Sequence, residues 1–202
     1  MAERYREMVS TPAVLEAQQH YFGKARVPAP AGQDDRLTRE EAVFITTRDS
    51  FYMASVTETG WPYLQHRGGP PGFLKVLSPS ELAFADFRGN RQMLSTGNVS
   101  VNDRVSLFLM DYPNKERLKI MGHARVLDAR EHPDLVEKVA PPGTAAITER
   151  VFVIQVVSFD WNCPQYITPR YTAEEVEAAV APMRARLAEL EAQLASQPKV
   201  KS

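Results

Sequence analysis

The sequence predicts a mainly β (α+β) domain, a small antiparallel barrel with short inserted helices and a helix at its C-terminal end. Three observations predict it. Between residues 51 and 161, apolar runs of strand length recur, separated by turns rich in Gly, Pro, Asn and Ser. One of these runs, RLKIMGHARVLD, alternates cleanly between an apolar and a basic face. A sustained helical stripe occurs in the tail, from Glu174 to Ser196. About six or seven mostly antiparallel strands of this kind suit a small barrel.

The bulk properties set limits. At 202 residues the chain can bury the core of one domain with helical extensions. A net charge of -1 argues against a general nucleic-acid binder, which would carry a basic excess. The single cysteine, Cys163, excludes an internal disulfide and fits a reducing compartment. MAERYREMVSTPAVLEAQQH holds no signal-peptide run, and nowhere do about 18 apolar residues run together. A cytoplasmic protein is expected.

Three segments follow in order: an N-terminal helix and linker (1–37), the barrel domain (38–172), and an amphipathic helix with its tail (173–202). In the first, PAVLEAQQHYF has helical spacing, with Thr11 as N-cap and Pro12 at the first helical position. RVPAPAGQDD is a loop. TREE, from Thr38 to Glu41, has the form of a capping box and should start a short helix reaching about Thr47.

The barrel strands come next. FYMASVT and WPYLQHR flank the turn Glu58-Thr59-Gly60 and form a hairpin, and HRGGPPG is a loop. FLKVL and ELAFADF bracket a second turn, Ser78-Pro79-Ser80. NRQMLSTGN is expected to be a short helix with Gly97 near its C-cap. RVSLFLMDY is nearly continuously apolar, as for a strand covered on both faces. In RLKIMGHARVLD, Leu118, Ile120, Gly122, Ala124 and Val126 share one face, while Arg117, Lys119, Met121, His123 and Arg125 share the other. A helix over PDLVEKVA and a long strand, RVFVIQVVSFDW, complete the domain.

In the tail, Val176, Val180, Met183, Leu187, Leu190 and Leu194 alternate spacings of four and three. Such a stripe serves either a coiled coil or packing on the body. Pro182 should kink or split the helix.

FADFRGNRQM raises the functional question. A helix N-terminus favours anions, glycine admits close approach, and arginine offers a forked pair of donors to phosphate oxygens. Gly89, Asn90 and Arg91 therefore form either a solvated turn or an anion seat. Arg67 and Lys75, at strand ends, and the basic strand residues Arg117 and Lys119 add cations that the fold could bring together.

HRGGPPGFLKVL, then LAFADFRGNRQ, DRVSLFLMDY and LKIMGHARV, resemble the pyridoxamine 5'-phosphate oxidase-like family of FMN-binding split barrels, over about residues 40 to 170. The resemblance implies a six-stranded antiparallel split barrel and a homodimer with FMN at the subunit interface. Arg67 and Lys75 stand where the family has an arginine and a lysine near the flavin. Gly89-Asn90-Arg91-Gln92 stands at the turn that grips the FMN phosphate, with Gln92 in place of a lysine. Ala85 and Asp86 match contacts just ahead of that turn. Arg117 falls where the family usually has a glutamine. Trp161 and Arg170 match residues that reach the flavin from the partner chain.

Departures from the pattern matter as well. The family's oxidase clasps pyridoxal phosphate with an Arg-x-His pair, but Gln165-Tyr166-Ile167-Thr168-Pro169 offers no cation there. Oxidation of pyridoxamine phosphate is therefore not expected. The resemblance implies an FMN-dependent oxidoreductase; a flavin-binding or redox-sensing module without catalysis, and a deazaflavin or haem binder, are the alternatives. His66 and His123 lie on segments that approach the isoalloxazine in the family. Cys163 is expected to be an inert apolar filler. The four histidines have no metal-ligand spacing, so no metal site is expected.

Overall fold

A computed structural model of the chain describes residues 2–161 and 164–196. Helices α1 (Glu3–Val9), α2 (Pro12–Phe22) and α3 (Arg39–Thr46) precede the strands. Then come β1 (Ser50–Val56), β2 (Pro62–Gly68), β3 (Lys75–Ser78), β4 (Glu81–Phe87) and α4 (Leu94–Val101). β5 (Arg104–Asp111), β6 (Glu116–Asp128), α5 (Pro133–Val139), a 3-10 turn (Ala145–Ile147), β7 (Thr148–Trp161) and α6 (Ala173–Ser196) complete the order.

All seven strands form one antiparallel sheet in the order β2-β1-β5-β6-β7-β4-β3. The seventh strand beyond the expected six is accommodated by the short β3. The order leaves β2 and β3 as its two edges, so the barrel is split there rather than closed by a ladder. Phe51, Met53, Leu82, Phe84, Leu107, Leu109, Leu118, Ile120, Phe152 and Ile154 fill the interior, and each is essentially inaccessible. A second, smaller core forms where α5 covers Ala83, Ala85, Val151 and Val153 on the far side of β4 and β7. Burying one such aliphatic or aromatic side chain contributes about 1.5–3 kcal/mol, so the interior supplies the main driving force.

The expected faces of β6 are observed: Leu118, Ile120, Gly122 and Ala124 are buried, while His123 and Arg125 are exposed. A bulge lies between Met121 and Gly122 opposite β7. There a Cβ on Gly122 would stand 2.4 Å from the Gln155 carbonyl oxygen, which explains the glycine.

The capping box forms as read. Thr38 accepts from the Glu40 backbone, and the Glu41 carboxylate accepts from the Thr38 N–H at 2.8 Å. Thr11 likewise caps α2, and Gly23 ends it in the left-handed region.

Four expectations need correction. Helix α4 begins at Leu94, not Asn90, because Gly89, Arg91 and Met93 all have positive φ, and no α-helix tolerates that alternation. Gly97 then lies inside α4 rather than at its C-cap. β5 is covered on one face only, since Ser106, Phe108 and Met110 stay half-exposed. Pro182 does not split α6, which runs unbroken past it. One helix, α1, has no sequence signal of its own: it has no side-chain cap and is held by burial of Tyr5 and by Arg4 pairing with Glu7 and Asp34. Cys163 lies outside the described residues.

Candidate functional site

Strand β2 runs against the usual polarity. Tyr63, Gln65 and Arg67 form its half-buried set, while Leu64 and His66 point to the exposed side. A polar inner face on an edge strand leaves the split lined with donors rather than packed with hydrocarbon. Arg67 reaches from it to β4, donating to one Asp86 oxygen at 2.7 Å, with its guanidinium near the rings of Phe84 and Phe152.

The other Asp86 oxygen accepts from Arg150 Nε at 2.8 Å, and Arg150 also donates to the Phe87 carbonyl at 2.9 Å. Register explains the pair, since Asp86 and Arg150 stand opposite each other on β4 and β7. Burial works to lower the Arg150 pKa, but Asp86 and Glu149 outweigh it and hold the group above its ordinary value. Asp86 thus ties two guanidiniums to the mouth of a cavity.

That cavity, of about 240 Å³, lies among β2, the end of β4, the 88–93 turn and the start of α4. Four arginines line it (Arg67, Arg88, Arg91 and Arg150) against one carboxylate, Asp86. Arg88 and Arg91 have no ion-pair partner among the described residues. Asn90 folds the turn: its side-chain oxygen accepts from the Gln92 N–H at 3.1 Å, and its amide donates to Gln92 Oε1 at 3.2 Å. Successive residues of alternating φ sign aim backbone N–H groups to one side, an arrangement that cradles anions. Met93 offers no side-chain cap to α4, so its first N–H groups remain available.

Two buried donors in the cavity wall have no partner: Ser95 Oγ, on a residue only 2 % exposed, and Arg67 Nε. Buried polar atoms are nearly always satisfied, so this pair leaves two donors that a ligand rich in acceptor oxygens could satisfy. A phosphate fits this donor set. Among the described residues, no three His, Cys, Asp or Glu side chains are grouped to hold a metal ion.

The sequence-predicted residues divide. Arg67, Asp86, Asn90, Arg91 and Gln92 come together at the cavity. Ala85 points the other way, into the smaller core, and Lys75 stands opposite Ala83 on β3, outside the cavity lining. Arg117 lies over the Phe108 ring on the outer face of β5 and β6. Trp161 packs edge-on against Phe44 and donates its indole N–H to Glu41 at 2.7 Å. Arg170 stacks over Tyr112 beside a second cleft. His66 packs edge-on against Tyr52, and His123 pairs with Asp103 at 2.9 Å, both away from the cavity. Sequence reasoning missed Arg88, Arg150 and Ser95. The signal for Arg150 is a cation at the start of a strand whose partner carries Asp86, visible only once the pairing is known.

The backbone is similar to that of several solved structures of low identity. A histidine-to-alanine variant of HupZ from Group A Streptococcus is 12% identical, with 62% of this chain and 99% of that one covered and a TM-score of 0.49. An FMN-binding protein from Syntrophomonas wolfei is 12% identical, covering 62% and 88%, with a TM-score of 0.48. General stress protein 26 from Bacillus anthracis is 12% identical, covering 60% and 91%, with a TM-score of 0.46. No curated protein shows significant similarity to the chain. The sequence profile of the pyridoxamine 5'-phosphate oxidase family matches residues 37–159, nearly the whole span from the capping box to the end of β7. The match covers more than half of the sequence, so the chain belongs to the pyridoxamine 5'-phosphate oxidase-like family.

Proposed function

We propose that the protein is an FMN-dependent oxidoreductase that acts as a homodimer in the cytoplasm, with the cavity beside the 88–93 turn receiving the FMN phosphate. The observation that carries this reading is the surplus of arginine over carboxylate in a cavity whose wall holds two unpartnered buried donors. Arg88 and Arg91 supply charge to a dianion. Ser95 and the turn N–H groups supply hydrogen bonds, and Asp86 holds Arg67 and Arg150 in place without cancelling the surplus. When bound, the flavin supplies the redox chemistry by accepting and passing on a hydride or electrons.

The homodimer is supported by the outward face of the first hairpin, where Tyr52 and Leu64 are exposed, with Trp61 exposed in the adjoining turn. Large apolar side chains grouped on one strand pair mark an interface. In this reading Trp161 and Arg170 serve the flavin of the partner, and Lys75 and Arg117 bear on its ring portion. Among the described residues no helix is long and apolar enough to cross a membrane. Pyridoxamine phosphate is not the substrate in this reading, because residues 164–169 offer no cation to a second phosphate.

The test is direct. Purified protein should be yellow or become so with FMN, and Ser95→Ala and Arg91→Ala should each weaken FMN binding about tenfold. A preparation that stays colourless with excess FMN rejects the reading. The missing cation at 164–169 also favours a second reading, a flavin-binding or redox-sensing module without turnover. Stopped-flow reduction by NADH or NADPH at turnover rates would exclude it.

A further inference from the structure

Helix α6 carries a complete stripe that none of the described residues buries. Of its residues Ala173–Ser196, none is buried. Val176, Met183, Leu187, Leu190 and Leu194 are all at least 40 % exposed. Val180 alone is half-covered, so among the described residues the body leaves most of the stripe open, against the use in which the helix packs on it.

We propose that α6 pairs with α6 of a second copy of this chain as a parallel, in-register, two-stranded coiled coil. The four-three spacing places Val180, Leu187 and Leu194 at one seam position and Val176, Met183 and Leu190 at the other. Leucines toward the C-terminal half and β-branched valines near the start are seam residues of the usual kind. Pro182 falls at an outward position, so its ring stays out of the seam.

The flanking charges choose the orientation. In a parallel pair Arg186 of one helix faces Glu191 of the other, and symmetry makes this attraction twice. In an antiparallel pair Glu177 would face Glu191, Arg184 would face Arg184, and Arg186 would face Arg186. Each of these charged contacts is repulsive. Within one chain Arg186 turns to Glu189 at 2.8 Å, an exposed contact that exchanges readily for Glu191 of a second copy. Roughly three heptads pair weakly in isolation, so the pairing rests on the homodimer proposed above, in which the two joined bodies hold the helices at high effective concentration.

The test uses the full chain with Cys163→Ser as background. A cysteine in the seam, Leu190→Cys, should form a disulfide-linked dimer in glutathione buffer in about tenfold higher yield than the outward Ala192→Cys. Adding Arg186→Glu should cut that yield about threefold, and Arg186→Glu with Glu191→Arg should restore it. Equal yields at 190 and 192 overturn the proposal. So does preferential linkage of Leu190→Cys to a Val180→Cys partner, which would mean the antiparallel arrangement, or a charge swap that fails to restore the yield. Flavin retention and the mass of the reduced protein are read separately, so a failure of the pairing is distinct from a failure of the proposed cofactor site.

Discussion

Glu41 links the start of α3 to the end of the barrel. Its carboxylate accepts from the Thr38 N–H and hydroxyl and from the Trp161 indole, while remaining only 3 % exposed. Burial pushes its pKa up, but the hydrogen bonds from Thr38 and Trp161 prevail and leave it below the ordinary 4.5. A depressed folded value means that the carboxylate stabilises the fold above the unfolded pKa. That contribution is lost as pH falls through the folded value. Glu41→Gln should therefore cost about 1 kcal/mol at pH 7, and the gap to the parent protein should narrow below pH 4.5. Thermal unfolding of both proteins across pH 3–7 checks the sign.

Arg150 makes the second prediction at this scale. Removing it leaves Asp86 buried with Arg67 alone and the Phe87 carbonyl without its donor. Arg150→Ala should lower stability by about 2 kcal/mol and weaken FMN binding more than Lys75→Ala does. Fluorescence titration of FMN against both variants measures this; equal losses would mean that the cavity is not where the phosphate sits. The capping box was legible in TREE because both its partners lie within four residues. Arg150 was not, because its partner lies 64 residues away on another strand.

Among the elements, the β6–β7 pair depends on Gly122. A Cβ there would meet the Gln155 oxygen at 2.4 Å and Ile154 Cγ2 at 2.9 Å, and backbone cannot yield cheaply. Gly122→Ala should cost about 2 kcal/mol, or a fall in melting temperature of about 4–8 °C, by differential scanning calorimetry. The strands themselves were legible because period-two alternation and turn residues are local signals. The start of α4 was not. NRQM has helical composition, yet positive φ at Arg91 and Met93, and at Gly89 just before them, holds it as a loop, so the cationic bend is a turn ahead of the helix rather than its first turn.

For the whole molecule, the proposed homodimer turns on the outward face of β1 and β2. Leu64 is 62 % exposed in one chain, so Leu64→Glu should fold normally. In the proposed homodimer the same change buries a carboxylate without a partner. The variant should run as a 22.7 kDa monomer in light scattering and bind FMN at least about tenfold more weakly. A parent protein of monomeric mass would reject the shared interface.

By itself the sequence determined most strands, the N-caps of α2 and α3 and the identity of the basic turn, because each is written in residues a few positions apart. The tertiary structure alone decided which arginines meet. Strand pairing brought Arg150 to Asp86, the split between β2 and β3 turned Arg67 inward, and the turn's backbone left Ser95 facing the cavity. The stripe on α6 was visible in the spacing, but only the folded body showed that none of it is buried there. The physical reason is common to all of these: hydrogen bonds and hydrophobic period act along the chain, whereas the convergence of charge depends on the register between strands far apart in it.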